Sequence, residues 1–189
     1  MDKKRLTGLI LAILENNDTQ RINFTLVGKS GRAIPVSGAR FRRVARAIRS
    51  GTINIDYPAP TGSPFKAFYN VKTNTLSVTR DVPFSSRMFD ALIVHEALHA
   101  AFDLNKSVMT VFESEAAAYI AQGAYLKNSG YGSKIDGATS EDGPVYIGYR
   151  LAQSATVDFD DAWMKELETD LSQRRGYAGK LDKEATFDH

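Results

Sequence analysis

"VHEALHAAFDL" (residues 94–104) holds two of the three histidines in the chain, four positions apart, with Glu96 directly after the first. The residues around them are almost wholly apolar, as expected of a buried helix. On a helix, positions i and i+4 share a face, with Cβ atoms roughly 5–6 Å apart. The imidazoles of His95 and His99 can therefore converge on one zinc ion, at the usual Zn–N distance of about 2.0–2.1 Å. Glu96 is rotated about 100° around the helix, too far to act as an equivalent ligand but placed to reach a water held on the metal. Zinc lowers the pKa of such a water to roughly 7, and a carboxylate beside it can take the proton and return it to a leaving amine. Histidines on buried helices are more often satisfied by ordinary hydrogen bonds. That reading is weaker here, because three ionisable groups in the middle of an apolar helix are costly unless a metal compensates.

The composition narrows what such a site can be. A chain of 189 residues suffices for one compact domain with a real core and is short for two. Hydrophobic residues make up 43% and charged residues 24%, ordinary for a globular protein. A net charge of +2 gives no ground for nucleic acid or an anionic membrane as the main partner. There are no cysteines, so disulfides and thiolate metal sites are excluded and any metal must use His, Asp or Glu. A structural zinc site is closed by four protein ligands, whereas a catalytic one keeps a position for water. His189, at the far end, is the only other histidine, and this scarcity of strong donors favours the open, catalytic kind.

Outward from the motif, the chain reads as one α+β domain over 1–189, with its core in about 21–175 and a polar tail (176–189) free to fray. "GLILAIL", near the N-terminus, is short for a signal-peptide core and far too short to span a bilayer. It reads as a helix or core segment, and the location expected is cytoplasmic, or exported without a cleavable N-terminal signal. "RINFTLV" (21–27) is a strand and "GKSGRAIP" after it a turn; the glycine that a phosphate-binding loop needs five residues before Gly28 is Asn23. "SGARFRRVARAIRSG" (37–51) is an amphipathic helix with Phe41, Val44, Ala45 and Ile48 on one face and Gly51 as its stop. Arg40, Arg42, Arg43, Arg46 and Arg49 occupy the other face; a solvated surface accounts for them better than nucleic acid does. "TINIDY" (52–57) is a strand, "PAPTGSP" a loop, and "FKAFYNV" (65–71) with "TLSVT" (75–79) a hairpin across "KTN". Helices follow at 85–104, 110–128, 145–154 and 159–175.

"HEALH" (95–99), followed by a helix carrying "ESEAAAY" (113–119), resembles the gluzincin branch of the zincin metallopeptidases. The order of a backing helix (37–51), a few strands (52–79), the His-Glu-x-x-His helix and a glutamate helix is similar to the smallest members. The resemblance covers roughly residues 37–128. It implies a small twisted sheet packed on the backing and active-site helices, with His95, His99 and a downstream glutamate binding Zn2+ and Glu96 as general base. It further implies a peptide or protein substrate held by backbone pairing along an exposed strand within 65–79.

Two glutamates compete for the third ligand position. "TVFE" (110–113) matches a capping box, in which Thr110 caps the helix and Glu113 folds back to the Thr110 amide. The five-residue link 105–109 suggests an antiparallel hairpin of helices. His99 and Glu115 then both lie about 7–8 Å from the turn, and Glu113 about 3 Å lower. Glu115 is therefore the expected ligand. Four residues after it stands Tyr119, where gluzincins often carry an acid that orients a zinc-bound histidine; Tyr119 and Asp103, at i+4 from His99, are candidates for that role. Asp103 reads equally well as a surface residue near a helix end. No residue is singled out for the oxyanion, although Tyr146, Tyr149 and Arg150 share a later helix. The expected function is a zinc metallopeptidase. The alternatives are a toxin or effector protease with one specific target, and an inactive zincin-like binding or regulatory domain.

Overall fold

The computed structural model describes residues 1–59, 66–80, 82–135, 143–174 and 176–185. The chain is α+β, built around one helix, α4 (Arg87–Leu104). Ser86 caps it by accepting from the Phe89 amide at 3.0 Å. Phe89, Ile93, Val94, Ala97, Leu98, Ala101 and Phe102 are all buried. A helix buried on nearly every face must be covered from several sides. Here α1 (Lys3–Glu15), α3 (Gly38–Arg49), α5 (Val111–Asn128) and the strand β4 (Ala67–Asn70) all pack on it. The apolar run near the N-terminus is α1, whose Leu6, Ile10, Ile13 and Leu14 enter the core. Among the described residues no helix is long and apolar enough to cross a membrane.

Two three-stranded sheets flank the helices, where the sequence suggested one. In the first, β1 (Asn23–Val27) pairs antiparallel with β2 (Ala33–Ser37) and parallel with β6 (Thr156–Asp158). The turn expected over 28–35 is thus shorter, closed by the Gly28 amide on the Arg32 carbonyl at 2.9 Å. Buried Ile34 and Val36 alternate on the core side of β2. Pro35 hides this pattern in the sequence, and it is tolerated because β2 is an edge strand. In the second sheet, β5 (Thr75–Val78) lies between β3 (Asn54–Asp56), parallel, and β4, antiparallel. Leu76 and Val78 of β5 share the buried face, as their spacing predicts. Most of the expected loop at 58–64 lies outside the described residues.

The remaining helices close the far side of α5. Here α2 (Asn17–Gln20) is a single turn, and α6 (Gly143–Leu151) crosses α5 at two glycines. A Cβ on Gly148 would sit 2.2 Å from the Tyr119 carbonyl oxygen, and one on Gly123 2.3 Å from the Tyr149 nitrogen. Backbone meets backbone at this crossing, and only glycine permits it. Beyond α7 (Ala162–Gln173) the polar tail is docked over 176–185. Leu181 is buried, and the amides of Val111 and Phe112 donate to the carbonyls of Lys183 (2.8 Å) and Leu181 (3.0 Å). These two amides belong to the first turn of α5, where a helix supplies no acceptor of its own. The tail satisfies them, which is why a polar segment stays in place; residues 186–189 lie outside the described set.

Candidate metal centre

His95 and His99 point from one face of α4 toward α5, with their Nε2 atoms 3.2 Å apart. Between them stands the Glu115 carboxylate: Oε2 is 3.5 Å from His95 Nε2, and Oε1 is 3.4 Å from His99 Nε2. The three residues offer ligand atoms that all lie within 4.8 Å of one another. Tetrahedral zinc with bonds of about 2.0–2.1 Å has ligand–ligand edges of about 3.3–3.4 Å, so the spacing fits such an ion without rearrangement. Two imidazole nitrogens facing each other across 3.2 Å gain little from a single shared proton, and a cation between them would satisfy both. Glu113 lies elsewhere. Its Oε2 accepts from the Thr110 amide at 2.8 Å and its own amide donates to Thr110 Oγ1 at 3.1 Å, a complete capping box.

The two rings are held differently from behind. The Nδ1 of His99 meets Ser114 Oγ at 3.0 Å, so Ser114 takes the orienting place considered for Asp103. Asp103 is fully buried rather than on the surface, and it accepts from the Tyr69 hydroxyl at 2.6 Å. The ring of Tyr119 lies edge-on against His95, centroids 4.6 Å apart, and packs against the imidazole it was considered to orient. The Nδ1 of His95 makes no close hydrogen bond among the described residues, although buried Gln122 is near enough to favour a proton on the ring. Gln122 is seven residues after Glu115 and so on the same helical face, a signal legible in the sequence. Tyr146, Tyr149 and Arg150 are not at the cluster. Tyr146 stacks edge-on with Trp163, Arg150 lies over both rings, and the Tyr149 hydroxyl is directed at Gly132.

Glu96 leaves α4 in another direction, and its Oε2 accepts from the Tyr69 amide at 2.9 Å. The Lys66 carbonyl accepts from the Thr79 amide, so Phe68 and Asn70 bond to β5 while Ala67 and Tyr69 turn their backbone groups away from it, the Tyr69 amide toward Glu96. The carboxylate therefore sits at the rim of an edge strand. Burial raises the Glu96 pKa to about 7; the His95 charge and the Tyr69 amide oppose this, and the Glu115 charge adds to it. Glu115 is the reverse case. Burial would raise it, but the His99 charge and the His95 hydrogen bond hold it at about 2. The two carboxylates differ in environment, one poised to exchange a proton near neutrality and the other kept anionic.

These groups line a cleft of about 290 Å³, walled by Phe68, Tyr69 and Val71 on the strand side and by Val111, Tyr177 and Ala185 opposite. Tyr177, from the docked tail, donates its hydroxyl to Glu115 Oε2 at 3.0 Å. No periodicity or motif in the sequence pointed to it. The arginine face of α3 is largely engaged with the chain itself. Arg40 donates to the Pro35 carbonyl and lies over the Phe102 ring, Arg43 donates to the Leu104 carbonyl, Arg42 pairs with Gln20, and Arg49 with Glu15. No family model, curated protein or solved structure matches this chain.

Proposed function

We propose that the protein is a zinc-dependent metallopeptidase of zincin type, in which His95, His99 and Glu115 hold the ion and Glu96 is the general base. One observation carries this reading: two imidazole nitrogens and one carboxylate converge at ligand spacing on the floor of an open cleft, with a second carboxylate beside them. The donor set of two imidazoles and a carboxylate, without thiolate, suits zinc in a site that keeps a position open. When bound there, zinc supplies a Lewis acid that polarises the scissile carbonyl and acidifies water.

The chain's own groups perform the remaining steps. Glu96, held by the Tyr69 amide, takes a proton from the attacking water and delivers it to the departing amine. Burial makes this carboxylate more basic than an exposed one, which favours taking up the proton. The Tyr69 amide is taken by Glu96, so an extended peptide would lie in the cleft against Phe68, Tyr69 and Val71, with its scissile bond over the cluster. A protease with a single protein target would use the same site. A binding domain without turnover is disfavoured, because it has no need of a base beside the metal ligands, and an amide could hold the Tyr69 N–H as well.

The test is metal analysis of protein purified without added zinc, together with peptidase assays of the unaltered chain and of Glu96→Gln. The amide keeps the shape but cannot accept a proton, so zinc content should stay at one per chain while the rate falls by about 10²–10⁴-fold or more. Full activity in Glu96→Gln removes Glu96 as the base, and absence of stoichiometric metal from both proteins removes the metallopeptidase reading.

A further inference from the structure

We infer that Tyr177 is a positioning residue for Glu115, and that docking of the 176–185 segment and metal binding are coupled through it. The inference rests on the metal-site reading above and goes beyond it, because it makes the C-terminal segment part of the site. Glu115 Oε2 is held on one side by His95 and on the other by the Tyr177 hydroxyl at 3.0 Å. The hydroxyl donates to that oxygen and so fixes the rotation of the carboxylate.

The segment that carries Tyr177 also fixes the helix that carries Glu115. Turns at Tyr177–Lys180 and Lys180–Lys183 lead into Leu181 and Lys183, whose carbonyls cap Phe112 and Val111, and the Ala185 amide donates to the Met109 carbonyl at 2.8 Å. The same short segment thus holds the start of α5 by its backbone and the Glu115 carboxylate, one turn further on, by a side chain. An ion that draws Glu115 into one rotamer strengthens the tyrosine contact, and the docked tyrosine strengthens the hold on the ion; such coupling is reciprocal by linkage. A purely space-filling role would need the ring and not the hydroxyl.

Tyr177→Phe separates these roles, since it keeps the ring. Zinc affinity, measured by chelator competition, should weaken about tenfold, within the range for loss of a group that orients a metal ligand. The visible spectrum of the cobalt(II)-loaded protein should shift, a change that a loss of stability alone would not produce. In the unaltered chain, zinc should slow hydrogen exchange at the Ala185 amide, which lies in the tail and donates to the Met109 carbonyl. That slowing should be largely lost in Tyr177→Phe. Equal zinc affinity and an unchanged cobalt spectrum in the variant overturn the inference and leave the metal site standing. So does exchange at Ala185 that is indifferent to zinc in the unaltered chain, a measurement that stands even if the variant fails to fold. No zinc binding by the unaltered chain overturns the metal reading and this inference together.

Discussion

Two glutamates two residues apart on α5 are assigned opposite work, and paired substitutions separate them. Glu113 closes the capping box through the Thr110 amide, and Glu115 faces both imidazoles. Glu113→Ala removes a helix cap, which costs about 1 kcal/mol. In a chain of this size that lowers Tm by about 2–4 °C. Zinc at a hundred times its dissociation constant stabilises the folded state by about 2.7 kcal/mol, or about 5–11 °C on the same scale. The unaltered chain and Glu113→Ala should therefore show the same zinc-induced rise, from starting points a few degrees apart. Glu115→Ala should show almost none, because two imidazoles alone hold the ion weakly. Differential scanning calorimetry of the three proteins, with chelator and with zinc, reads both effects at once. A full zinc shift in Glu115→Ala, or its loss in Glu113→Ala, refutes the assignment whatever the absolute melting temperatures.

Two further outcomes follow from the packing around the cluster. Burial opposes a charge on His95, but the Glu115 hydrogen bond and the Glu96 and Glu115 charges outweigh it and raise its pKa, whereas burial lowers His99 to about 4 despite Glu115. Zinc must displace a proton from His95 first, so its affinity is full above the His95 titration and falls about tenfold per pH unit below it, more steeply beneath about pH 4. An affinity that stays flat as pH falls through the His95 titration contradicts this order. Gly148→Ala would place a methyl carbon 2.2 Å from the Tyr119 carbonyl oxygen, forcing α6 off α5 at a cost of about 1–3 kcal/mol. The urea midpoint should drop accordingly, and an unchanged midpoint would mean that the crossing has slack.

Much of this arrangement is legible in the chain read residue by residue. The pairing of His95 with His99 follows from helical repeat alone, as do the buried stripe of α3 and the separate direction taken by Glu96. The capping box at Thr110 and Glu113 is equally local, and by occupying Glu113 it leaves Glu115 to face α4. Each of these depends on groups within about one turn of each other, where backbone geometry fixes relative position. Other features were decided only when the chain packed. Pro35 obscured β2 because its acceptability depends on lying at a sheet edge. Gly123 and Gly148 read as ordinary helix residues until two backbones crossed there. The Tyr69 amide that holds Glu96 is 27 residues away in sequence, and the Tyr177 hydroxyl that holds Glu115 is 62 away. No periodicity spans such separations: they are set by which buried faces meet, and the tail finds its place because α5 begins with amides that need acceptors.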